Sequence, residues 1–139
     1  VGHVGDSRVY RLDAQGLRQL TDDDSWLARM LADPAADRAA LGRHPLRHAL
    51  TNVVGARRRP DVHVVERTLA DGDLLLLTTD GVHGVLDARR LERYLVETSD
   101  PAEAARRIVA AALDCGSADN CTAVVARYRA PREGRAPAG

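Results

Sequence analysis

The run Leu74-Leu-Leu-Leu77 constrains this chain more than any other feature. Four consecutive leucines present apolar side chains to both faces of a strand, so Leu74 to Thr79 predicts a central strand buried on both sides. Turn chemistry closes it at each end, with Asp71-Gly72 before it and Asp80-Gly81 after it. Asp71-Gly72 predicts a hairpin to a second strand over Val62 to Leu69.

The flanking segments give a mixed α and β chain with mostly antiparallel hairpins. Val1 to Leu20 predicts strands joined by a tight turn at Asp13-Ala-Gln-Gly16. Thr21-Asp-Asp-Asp-Ser25 is a loop, and Ser25 can cap a helix over Trp26 to Leu31. A second short helix is expected over Ala35 to Leu41, and Gly42 to Pro60 reads as irregular. Asp87 caps an expected helix from Ala88 to Val96. The clearest helix runs from Pro101 to Leu113, with Asp100 as N-cap, Pro101 at its first position and Glu103 completing a capping box. Its apolar face is expected to carry Ala105, Ile108, Val109, Ala112 and Leu113, and Gly116 stops it. A last strand is expected over Cys121 to Tyr128. The domain is expected over 1–129, and the Pro/Gly/Arg-rich segment 130–139 as a disordered tail.

Composition narrows the function classes. The chain has 139 residues, which suits one small domain, and its 20 basic and 20 acidic side chains cancel. A net charge of zero offers no electrostatic footprint for nucleic acid or an anionic membrane. All 20 basic residues are arginine, which excludes chemistries that need an ammonium group, such as a Walker-type phosphate loop or a Schiff base. The only aromatic rings besides histidine are Tyr10, Trp26, Tyr94 and Tyr128, a poor platform for stacking bases. Two cysteines, Cys115 and Cys121, read as reduced, buried thiols in a cytoplasmic protein. No apolar run approaches the roughly 20 residues of a membrane span. The sequence begins inside an apparent strand, and the natural domain is expected to start upstream of Val1.

Three aspartates stand where apolar strands end or turn: Asp6 in Gly5-Asp-Ser-Arg8, Asp80 in Thr79-Asp-Gly81, and Asp119 in Ser117-Ala-Asp-Asn120. Each alone is ordinary turn chemistry. Together they suit a hard divalent cation, which takes oxygen ligands and keeps several waters. Gly81, lacking a Cβ, permits a sharp turn and close backbone approach.

Order and spacing carry a further reading. Val4-Gly-Asp-Ser-Arg8, Leu20-Thr-Asp-Asp-Asp24, His44-Pro-Leu-Arg47 with Ala49-Leu-Thr51, Asp71-Gly-Asp73, Leu77-Thr-Thr-Asp-Gly-Val82 and Ser117-Ala-Asp-Asn-Cys-Thr122 occur in that order. This series resembles the bacterial branch of the PPM-type (type 2C) metal-dependent serine/threonine protein phosphatases, over roughly the C-terminal half of the catalytic domain. The resemblance implies an α/β fold of two antiparallel sheets packed as a sandwich with flanking helices, incomplete here because the N-terminal part is missing. It implies that Asp80 and Asp119 ligate a two-metal centre of Mn2+ or Mg2+, and that Asp6 ligates a third ion. Gly81 and Asn120 would support the ligand loops. A flap at about 23–60 would carry Trp26, His44 and Arg47 beside the site. The implied reaction is hydrolysis of phosphoserine or phosphothreonine in proteins by a metal-activated water, on substrates of a serine/threonine kinase. The alternative is a non-catalytic phosphatase-like module that binds a partner or phosphoprotein.

The resemblance also implies what this chain lacks. The family's N-terminal Asp-Gly block and its phosphate-holding arginine fall upstream of Val1, so this chain alone is expected to bind Mn2+ weakly and turn over slowly or not at all. Gly84 stands where an acidic residue is common. Arg57-Arg58-Arg59 reads as a solvated loop. His83 is a candidate acid near the site. Trp26 reads as a core anchor for the flap helices, and Leu91 and Tyr94 as packing.

Overall fold

The computed structural model describes residues 1–56 and 58–131. Arg57 of the arginine run, and the expected tail from Arg132 onward, lie outside the described residues.

The described residues fold as two antiparallel sheets and five helices. In order these are β1 (Gly2–His3), β2 (Arg8–Asp13), β3 (Gly16–Gln19), α1 (Trp26–Leu31), α2 (Arg38–Leu41), β4 (His63–Val64), β5 (Leu74–Thr78), α3 (Asp80–His83), α4 (Ala88–Val96), α5 (Pro101–Asp114) and β6 (Ala123–Arg127). The larger sheet has the order β3-β2-β5-β6, and β1 pairs with β4 in a separate two-stranded ribbon.

The leucine run is the central strand, between β2 and β6, but the expected Asp71-Gly72 hairpin does not form. Asp71-Gly72 is a turn, with Gly72 at φ +91° and Asp73 N–H donating to Ala70 O at 3.1 Å. The chain entering that turn pairs elsewhere: Val62 to Leu69 shrinks to β4, whose partner is β1. A turn dipeptide fixes the reversal locally and leaves the choice of strand partner to the rest of the sheet. The β2–β3 turn is the hairpin the sequence predicts. Asp13 pairs with Gly16 at φ +102°, and Asp13 Oδ1 accepts the Gln15 N–H at 2.8 Å.

Burial along β5 alternates, against the expectation of two buried faces. Tyr10, Leu76 and Val125 lie in one row across the sheet, with Tyr10 and Leu76 buried. The next row is Val9, Leu77 and Val124, in which Leu77 is 40% and Val124 51% exposed. Helices α3, α4 and α5 and the α3–α4 connection cover only the first face, through Val82, Leu86, Leu91, Leu95, Ala104, Ile108 and Ala112.

The helix ends follow the local signals. Ser25, Asp87 and Asp100 accept from the Ala28, Arg90 and Ala102 N–H groups. The capping box at Glu103 is not made: its carboxylate takes Arg106, while the Asp100 N–H donates to Thr98 Oγ1 at 3.2 Å. The buried stripe of α5 is Ala104, Ile108 and Ala112: Ile108 and Ala112 lie on the expected face, Ala104 is buried in place of Ala105, and Leu113 is exposed. Cys115 is likewise exposed rather than buried. Trp26 is half-buried and stacks on His44 with ring centroids 4.2 Å apart, rather than anchoring the core. Leu91 is fully buried, and Tyr94 lies partly buried beneath Arg93 and Arg107.

Candidate metal centre

Strand β5 delivers Asp80 at its C-terminal end. Thr79 is extended, and Asp80 opens α3, a single turn that the sequence reads only as a sharp stop. The loop after α5 is clamped onto this turn. Ser117 Oγ donates to Gly81 O at 2.6 Å, Cys121 Sγ approaches the same oxygen at 3.2 Å, and Thr79 Oγ1 donates to Asn120 O at 2.9 Å. Thr79 N–H donates to Thr122 O at 3.2 Å, and Thr122 N–H returns a bond to Thr79 Oγ1 at 3.0 Å. The approach is so close that a Cβ on Gly81 would lie 2.5 Å from the Asn120 carbonyl oxygen. Gly81 is therefore required for the contact, and Asn120 enters it through its backbone.

Asp80 and Asp119 thus stand on two touching turns. In each, Oδ1 accepts the following backbone N–H, at 2.9 Å for Asp80 and 2.7 Å for Asp119. The second carboxylate oxygen of each takes no hydrogen bond among the described residues. Asp6 joins from the Gly5 turn, where Gly5 has φ +96°. Burial, then the nearby Asp80 charge, raise the Asp6 pKa above the ordinary carboxylate value, while its backbone hydrogen bond and Arg8 act in the opposite direction. Two carboxylates that repel each other in a partly buried site are the electrostatic situation a divalent cation relieves.

The donors are of the type a hard cation takes, and the turns that carry Asp80 and Asp119 are in contact. Among the described residues no three His, Cys, Asp or Glu side chains converge closely enough to hold an ion by themselves.

Arg8 and Asp23 enter the sequence reading only as motif members, with no role assigned to either. Arg8 makes a two-pronged pair with Asp23, Nε to Oδ1 at 2.8 Å and Nη2 to Oδ2 at 2.6 Å, and its Nη1 reaches the Tyr10 hydroxyl at 3.3 Å. Burial opposes the Arg8 charge, but the bonds to Asp23 and Tyr10 outweigh it and raise its pKa. His83 Nδ1 lies 2.9 Å from Thr78 Oγ1. Burial first, then Arg8, push its pKa down to about 4, against the opposing charges of Asp23 and Asp80. His83 is therefore a neutral imidazole near pH 7, which removes the candidate acid in its charged form.

The flap residues form a separate group. Ser25 bridges to Leu50, Trp26 N–H donates to Ala49 O at 2.8 Å, and Leu46 N–H donates to His44 Nδ1 at 3.2 Å. Arg47 contributes its N–H to His44 O at 3.1 Å. Arg58 and Arg59 are exposed.

No family profile matches the sequence. Known proteins do. The serine/threonine phosphatase stp of Listeria monocytogenes is 27% identical over 135 residues, which cover 97% of this chain and 54% of that protein. The PPM Ser-Thr phosphatase MsPP of Mycobacterium smegmatis, solved with cacodylate, is 34% identical with a TM-score of 0.71, over 89% of this chain and 53% of that one. The catalytic domain of the phosphatase PstP, solved with two manganese ions, is 30% identical with a TM-score of 0.69, over 91% of this chain and 51% of that one. Sheet, helices and relatives define one class, the PPM-type phosphatases. The chain is similar to bacterial members of that class, as a segment spanning about half the length of the relatives named.

Proposed function

We propose that the domain to which this chain belongs hydrolyses phosphoserine and phosphothreonine in proteins with Mn2+ or Mg2+, and that this chain supplies Asp80 and Asp119 to the central ions and Asp6 to a further one. The observation that supports the reading is the clamp of the 117–122 loop on the 79–81 turn, which joins the two turns that carry Asp80 and Asp119, with Asp6 in electrostatic reach of Asp80. When bound, divalent cations lower the pKa of water and neutralise charge building on the phosphoryl oxygens. The chain's own residues prepare for this. Thr79 and Ser117 fix the two ligand turns, Gly81 lets them meet, and Arg8 with Asp23 anchors strand β2 to the start of the flap.

The proposed domain spans 1–129 with a flap at 23–60, its partner is a phosphorylated protein substrate of a serine/threonine kinase, and its compartment is the cytoplasm. Among the described residues no helix is long and apolar enough to cross a membrane. The phosphatase relatives support the enzyme over a non-catalytic binding module.

With part of the ligand shell supplied here, the 139-residue chain should bind Mn2+ weakly and cleave a phosphothreonine peptide slowly or not at all. Isothermal titration with Mn2+ tests the site. Asp80→Asn and Asp119→Asn should each weaken binding about tenfold or more, the loss expected for one charged ligand. Unchanged affinity in both variants would overturn the assignment.

A further inference from the structure

Asp24 is the third residue of an acidic run that the sequence presents only as a loop before a helix cap. Its side chain is 13% exposed and gathers three segments that are distant in the chain. Oδ2 accepts the Gly5 N–H at 2.9 Å and the Asn52 Nδ2 group at 2.8 Å, and Oδ1 meets His63 Nε2 at 2.9 Å. The backbone closes the same joint: Asp24 N–H donates to Gly5 O at 2.9 Å, and Thr51 N–H donates to Asp24 O at 2.7 Å. Asn52 is itself buried and clasps Asp61 from both sides, with Nδ2 on Asp61 O at 2.7 Å and Oδ1 accepting Asp61 N–H at 3.1 Å.

These bonds make a ring of contacts around Gly5. The Gly5 peptide is held through both its N–H and its C=O by one residue, at a left-handed φ that few other residues adopt. Asp6 is the next residue, so the direction in which its carboxylate leaves the turn is set by that two-point grip. The other atoms on Asp24 come from the far end of the flap, at Thr51 and Asn52, and from β4, at His63. We infer that Asp24 is a positioning residue: it fixes the Gly5–Asp6 turn to both ends of the flap and to the β1–β4 ribbon, and thereby sets where the Asp6 carboxylate stands.

The inference rests on the reading of Asp6 as a cation ligand for its functional meaning, and on the Gly5 contacts for its structural content. Amide hydrogen exchange and Mn2+-induced line broadening on the 139-residue chain read these two levels separately. In Asp24→Ala, the Gly5 N–H should exchange about tenfold faster or more, the loss expected for a charge-assisted hydrogen bond, while amides of β5 and α5 keep their protection. Mn2+ broadening at Asp6 should weaken in the same variant and persist at Gly81 and Asn120. Asp24→Asn keeps the shape and one acceptor oxygen, so it should restore part of both signals; this rescue separates positioning from general loosening. Asp22→Asn, on the neighbouring acid, should leave both unchanged. Unaltered Gly5 exchange in Asp24→Ala and Asp24→Asn would overturn the inference. If the unsubstituted chain shows no Mn2+ broadening at Asp6, Asp80 or Asp119, the cation reading fails, and Gly5 exchange alone then decides the role of Asp24.

Discussion

Gly81 and Asn120 meet backbone to backbone, with no room for a single added carbon between them. The contact joins residues 39 positions apart and is the point where the ends of β5 and of the α5–β6 loop become one structure. Gly81→Ala should therefore push the Asn120 carbonyl away and cost about 1–3 kcal/mol, the range for overpacking a closed contact. Thermal unfolding checks the cost. An unchanged midpoint would mean that the two turns do not touch as described.

Ser117→Ala tests the same junction from its other side. The hydroxyl donates to Gly81 O at 2.6 Å, and removing it leaves that carbonyl with the weaker Cys121 thiol. A loss of about 1 kcal/mol is expected, as for one net hydrogen bond. Urea denaturation measures it, and the accompanying Ser117→Thr variant should retain most of the stability.

The Arg8–Asp23 pair is partly sheltered, with side chains 28% and 15% exposed. Asp23→Asn removes the charge partner of a two-pronged guanidinium and should cost about 2 kcal/mol, the scale of a charge-assisted hydrogen bond. Denaturant titrations at low and high salt check this. A cost that vanishes at 1 M salt would place the pair in solvent rather than in the fold.

The pKa of His83 is depressed to about 4 from an ordinary 6.5, so the folded state binds fewer protons than the unfolded chain between those values. Its contribution is fully present above pH 6.5 and is lost as pH falls toward 4. Stability measured across this window should decline, and His83→Gln should flatten the decline. An identical slope in the variant would show that His83 is not held neutral by its surroundings.

Neighbouring leucines of β5 should behave in opposite ways. Leu76→Ala, at a position with no exposed surface, should cost about 2–5 kcal/mol, whereas Leu77→Ala, 40% exposed, should cost under about 1 kcal/mol. Equal losses would mean that both faces of the strand are covered in solution.

What the sequence discloses about this fold is mostly what neighbouring residues decide among themselves. Ser25, Asp87 and Asp100 cap their helices where expected, because a cap involves an N–H two or three residues away. The Asp13–Gly16 hairpin is legible for the same reason. The partner of β5 is not legible, because pairing is settled by strands on both sides, one starting 66 residues earlier and the other 49 later. Ile108 and Ala112 are buried on α5 as expected, but Ala104 rather than Ala105 joins them, because the two alanines look alike in the sequence and only packing distinguishes them. At the site, the motif order points to Asp6, Asp80 and Asp119, and the structure joins the turns of Asp80 and Asp119 and sets Asp6 in electrostatic reach of Asp80. Asp23 and Asp24 escape notice as loop acids, since their partners Arg8, Gly5, Asn52 and His63 come from outside the run. The one available signal is an acidic triplet with no cation beside it in sequence.

Between Asp80 and Asp119 the chain runs through α4 and then α5, and α5 hands over to the second ligand loop at Gly116, whose φ is +80°. The spacing of the two aspartates is thus tied to the winding of a core helix. Inserting one residue between Ile108 and Ala112 would swing everything downstream by about 100° and advance it by about 1.5 Å. A length change that a surface loop would absorb is felt here at the ligand pair, so the molecule can vary the exposed positions of α5 and hardly at all its number of residues.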